Sequence, residues 1–157
     1  MMKFERKLNR ILEIFLVILM SVLVIDVLWQ VFSRYLLASP SSFTDELAGY
    51  LLIWVGMLGA AYVAGRQEHL AIDIVLQRSR PSVKKRLSLI IHLMILLFAV
   101  AVMAVGGIIL MYTRFALEVK SAALQLPLGY VYIVMPISGL IIVYYKILHI
   151  QELRKTD

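Results

Sequence analysis

The sequence of 157 residues contains no cysteine. That excludes disulfides, thiolate-held zinc, iron–sulfur clusters and a cysteine nucleophile. Charge is scarce too: 17% of residues are Asp, Glu, Lys or Arg and 62% are hydrophobic, where a water-soluble domain is about a quarter charged and about half apolar. Histidine occurs 3 times, at His69, His92 and His149, in separate segments and without the spacing of a closed metal site. One histidine inside a span also falls short of a haem site. Missing as well are a nucleophile–base pair, a phosphate-cradling glycine loop and paired carboxylates in a cleft. These absences point away from an enzyme. The formal charge of +6 is explained below by its placement and gives no separate support for nucleic acid.

What the chain does have is long apolar runs and a mean hydropathy of +0.89, so bilayer is its expected solvent. About 20 apolar residues cross the hydrocarbon as a helix. Four segments qualify, at about 11–37, 43–64, 87–112 and 128–150. Continuous rather than alternating runs indicate helices. Lys3, Arg6, Lys7 and Arg10 ahead of the first run imitate a signal peptide, but that run exceeds a cleavable apolar region and reads as a retained span. Ser42 with Asp45 resembles a capping box. Pro81 suits a first helical turn, and Pro136 predicts a kink or local re-bonding within the fourth span.

Between the second and third spans, His69, Asp73 and Gln77 recur every fourth residue opposite Leu70, Ile74 and Val75. This pattern predicts an amphipathic helix over about 69–78, too short to span and suited to the interface. All 16 basic residues except Arg34, Arg114 and Lys120 fall in the N-terminal segment, the middle loop or the C-terminal end. The positive-inside rule places these regions, and both termini, in the cytoplasm. The expected fold is therefore all-α and integral to the membrane: a single membrane domain over 1–157, with four transmembrane helices and one cytoplasmic-side interfacial helix.

Asp26 lies inside the first span, where charge is costly and function is the default hypothesis. Gln30 and Arg34 follow on the same helical face. A proton or ion relay is one reading. A polar stripe that meets another subunit or pairs along its own helix is the other, and it is preferred because spans three and four carry no carboxylate in their cores. His69 and Asp73 read as a local contact rather than two metal ligands. Gly56, Ala60 and Ala64 place small residues on one face of span two and predict its packing side. Trp54 reads as a packing residue.

Taken together, these residues resemble the small membrane subunits of tripartite ATP-independent periplasmic (TRAP) transporters. The likeness is densest over Asp45, Glu46, Leu52-Ile53-Trp54, Gly59-Ala60-Ala61, Arg66, His69 and Asp73. It extends upstream to Trp29-Gln30-Val31-Phe32-Ser33-Arg34-Tyr35 and downstream to Ser121, Leu126-Pro127, Tyr130, Tyr132 and Pro136. The resemblance implies a bacterial inner-membrane subunit of a sodium-coupled symporter for organic acids. Its implied partners are a large permease subunit that moves as an elevator and carries the sodium and substrate sites, and a periplasmic binding protein. This chain would then hold no cofactor, metal or substrate. It would brace the scaffold and, through Ser41, Asp45, Glu46, Arg114 and Lys120, help dock the binding protein. The turn from Arg66 to Asp73 would brace the cytoplasmic side against the lipid surface. The alternative from another class is a small homo-oligomeric exporter with Asp26 as its proton-coupled carboxylate.

Overall fold

The structure, a computed structural model, describes residues 2–37, 41–66 and 81–155. The expected interfacial helix over 69–78, with His69 and Asp73, lies outside the described residues.

Helix α1 runs Met2–Tyr35, starting well before the expected 11. The segment ahead of the apolar run is built from Lys, Arg, Glu and Leu, which form helix readily, and Glu5 stands in the first turn, where a negative charge is favourable. At 1.5 Å per residue, its 34 residues reach about 50 Å, well beyond a hydrocarbon core of about 30 Å. Helix α2 runs Ser42–Arg66. The third span is composite: α3 (Pro81–Phe98), a π-helical stretch (Ala99–Gly106) and α4 (Gly107–Ala116). Proline at the first position of α3 costs no hydrogen bond, since the N–H there has no helical acceptor. The fourth span is α5 (Leu128–Tyr132) and α6 (Val134–Lys155), divided at Ile133. Pro136 has no N–H for the Tyr132 carbonyl and its ring crowds that group, so the predicted kink is present as a break one turn earlier. Four helices are long and apolar enough to cross a membrane: Phe4–Tyr35, Ser42–Arg66, Arg86–Ala116 and Leu128–Leu153.

Helix α1 packs on α2, α2 on α6, and α6 on α3 and the π-helical stretch. The fourth span is the centre of this array: half of its most apolar window is buried, against 17% for each of the first two spans and 22% for the third. One core group joins Leu12, Leu58, Val134 and Tyr145. A second joins Ala61 and Ala64 to Ala99, Met103 and Ile142. The third and fourth spans approach closely at two glycines. A methyl group on Gly107 would lie 2.9 Å from the Pro136 ring, and one on Gly139 would lie 2.8 Å from the Ala104 nitrogen.

The small-residue face of span two only partly packs within this chain. Ala64 is buried, but Gly56 and Ala60 are exposed, and a methyl group on Gly56 would meet nothing within 4 Å. The side facing the rest of the chain holds Leu58, Ala61 and Ala64 instead. Glycine and alanine occur on both sides of α2, and of the predicted face only Ala64 turns toward the rest of the chain.

Between α4 and α5 the chain makes a short hairpin. Ser121 N–H donates to the Leu126 carbonyl and Leu128 N–H to the Val119 carbonyl, both at 2.9 Å. Glu118 (φ 47°) and Gln125 (φ 54°) adopt left-handed backbone, a conformation uncommon outside glycine and asparagine. It is secured by the Glu118 N–H to Phe115 carbonyl bond at 3.1 Å and by Gln125 Nε2 donating to the Ala122 carbonyl at 2.9 Å.

Candidate functional site

Two polar groups sit at the hairpin end of the bundle. Asp26 is 7% exposed, with one carboxylate oxygen enclosed and unbonded. It is close enough to Asp45, in the first turn of α2, to feel its charge. Gln30 Nε2 donates to Asp45 Oδ1. Asp26 and Gln30 thus face α2, whereas Arg34 is exposed with its guanidinium 5.9 Å from the Tyr35 ring. Asp45, the residue expected to close a capping box with Ser42, thus takes part in a bond across two helices. Thr44 Oγ1 donates to the Ser41 carbonyl at 2.8 Å, and the Ser41 hydroxyl is enclosed and unbonded.

Glu46 serves the second group. Its two carboxylate oxygens accept the Ala123 and Leu124 N–H groups, both at 3.0 Å. One side chain of α2 thereby fixes the tip of the α4–α5 hairpin. The sequence offers no signal for this bond, because its partners stand 77 and 78 positions away. A helix-start role alone does not describe Glu46.

Beside the hairpin is a cavity of about 350 Å³ lined by Arg114, Phe115, Glu118, Lys120, Pro127 and Tyr130. Arg114 is half-buried and its Nε is enclosed and unbonded. Its guanidinium lies 5.9 Å from the Tyr132 ring. Phe115 and Tyr130 meet edge to face at 5.1 Å.

In the body of the bundle, Trp54 Nε1 donates to the Val131 carbonyl at 3.0 Å, tying α2 to α5. At the opposite end, Arg66 is exposed with its guanidinium 4.9 Å from the Tyr62 ring. Lys146, one of the basic residues of the C-terminal end, is fully buried, and its Nζ donates to the Ala64 carbonyl at 3.4 Å. The last carbonyls of a helix have no helical donors and carry partial negative charge, so a cation from α6 is favourable there. His92 and His149, on different spans, bring their rings to 5.7 Å. No group of three His, Asp or Glu able to hold a metal occurs among the described residues.

Comparison with known proteins matches residues 23–156 to the family described as tripartite ATP-independent periplasmic transporters, DctQ component. The sialic acid TRAP transporter small permease protein SiaQ of Vibrio cholerae is 33% identical over 111 residues, covering 70% of this chain and 61% of that protein. A putative TRAP transporter small permease protein of Haemophilus influenzae is 26% identical over 136 residues, 85% of this chain and 81% of the relative. The sialic acid TRAP transporter permease protein SiaT of Haemophilus influenzae is 32% identical over 66 residues, 42% of this chain and 11% of SiaT. The family match covers most of the described spans together with the hairpin that Glu46 secures, so the chain belongs to the DctQ family as a small permease component of a bacterial TRAP transporter, and it is a multi-pass membrane protein rather than an enzyme.

Proposed function

We propose that this chain is the immobile brace of a binding-protein-dependent, sodium-coupled TRAP transporter for an organic acid. In this reading a large permease subunit carries the solute and sodium sites and moves as an elevator against a scaffold that the small chain holds still. Both termini and the Arg66 end face the cytoplasm, as the basic residues indicate. The hairpin end then faces the periplasm, where Ser41, Asp45 and the hairpin shaped by Glu46 form the docking side for the binding protein. The observation that carries the reading is the openness of the fold: the first and third spans leave most of their large apolar side chains exposed, and the described residues hold no three-carboxylate or histidine cluster for an ion. Such a molecule has surface for a partner and for lipid. The names of two relatives support sialic acid, an organic acid, as the class of solute. The match to 11% of a much longer permease supports a large companion beside this unit. The exporter alternative loses its basis in family membership.

Reconstitution in liposomes tests the proposal. The small chain alone should carry no organic acid under a sodium gradient. Adding the large subunit and the binding protein should restore uptake. Uptake by the small chain alone would refute the brace.

A further inference from the structure

We propose that the cavity beside the hairpin binds the head group of a phospholipid carrying both a phosphate and a primary amine. The cavity sits where the third and fourth spans end, at Ala116 and Leu128, which is the depth of a head group rather than of acyl chains. Its charged lining is two cations, Arg114 and Lys120, and one carboxylate, Glu118. A guanidinium suits phosphate because its planar donors match two oxygens at once, and Arg114 is half-buried in the cavity wall. Lys120 adds a second, exposed cation. Glu118 would repel a purely anionic head group but can accept a hydrogen bond from an ammonium. The set of charges therefore complements a phosphate joined to an amine better than a phosphate alone.

The remaining walls favour a lipid over a free solute. Phe115, Pro127 and Tyr130 are apolar or aromatic, and aromatic rings gather at head-group depth. Ile108, Ile109 and Tyr112 are exposed along α4 below the cavity, giving acyl chains an apolar path away from it. This assigns Arg114 and Lys120 to lipid and leaves binding-protein docking to Ser41, Asp45 and the hairpin tip at Ala123 and Leu124 that Glu46 holds. It depends on the membrane placement of the spans and not on which solute is carried.

The test uses the small chain copurified with its large subunit, stripped of lipid in detergent and then offered phosphatidylethanolamine or phosphatidylglycerol. Native mass spectrometry reads the lipid retained on the small chain. The wild type should prefer phosphatidylethanolamine by about two- to fivefold, the range of one exposed ion pair. Glu118→Gln should erase that preference, and Arg114→Gln should lower retention of both lipids by roughly tenfold. If Arg114→Gln prevents assembly, Lys120→Gln, at an exposed position, should weaken both lipids without doing so. Equal preference in wild type and Glu118→Gln would overturn the proposal. Full displacement of the lipid by millimolar inorganic phosphate would show a free-anion site instead. Unchanged lipid retention with weakened binding-protein affinity in Arg114→Gln would return the cavity to an acidic side chain of that protein.

Discussion

At Asp26, a side chain 7% exposed holds a carboxylate oxygen with no hydrogen-bond donor, and the nearest charge identified is another carboxylate, Asp45. A buried, unsatisfied polar group costs about 1–3 kcal/mol. Asparagine has the same shape and no charge for Asp45 to repel. Asp26→Asn should therefore raise the stability of the chain by about 1 kcal/mol, seen as a higher unfolding temperature, while sodium-dependent uptake by the complete transporter stays unchanged. Lost sodium coupling in an otherwise intact complex would make Asp26 part of the coupling machinery. The cost of Asp26 was legible in the sequence, because a carboxylate inside an apolar run is conspicuous. Its neighbour was not, because Asp45 belongs to a different helix and only the packing of α1 on α2 joins them. Glu46 and Lys146 teach the same lesson: each has its partner on a distant element, and a charge on a helix end looks the same whether water or a remote backbone group receives it.

At the scale of elements, the four spans were legible as continuous apolar runs, and the interruption at Pro136 as a missing N–H. The π-helical stretch Ala99–Gly106 was not. It is apolar on every side, so no periodicity separates an i→i+5 ladder from an α-helical one. Its position becomes sensible only against the fourth span, where Gly107 receives the Pro136 ring and Gly139 receives the Ala104 backbone. The two irregular helices are shaped to each other, and a larger side chain at their contact has no room. Gly139→Leu should lower stability by about 1–3 kcal/mol, the usual effect of overpacking a close contact. Thermal unfolding of the purified complex measures it. A wild-type unfolding temperature in that variant would mean that the spans separate freely and do not form a fixed unit.

The whole molecule has an inverted economy for a protein of this length: one central span and three that present apolar surface outward. On α2, Gly49, Leu52, Gly56 and Ala60 are exposed on the side away from the core, and methyl groups on Gly49 or Gly56 would touch nothing in this chain. Small residues let a neighbouring helix approach closely, and in lipid alone they have no such use. If α2 meets the large permease subunit on this side, bulk there should damage the complex and spare the chain. Gly56→Leu combined with Ala60→Leu should leave the helicity and membrane insertion of the small chain intact. Co-purification of the large subunit should fall by about tenfold, as overpacking of roughly 1–3 kcal/mol at the contact would produce. Unchanged co-purification would mean that this face meets lipid, and the permease would then have to be sought on the exposed sides of the first or third span.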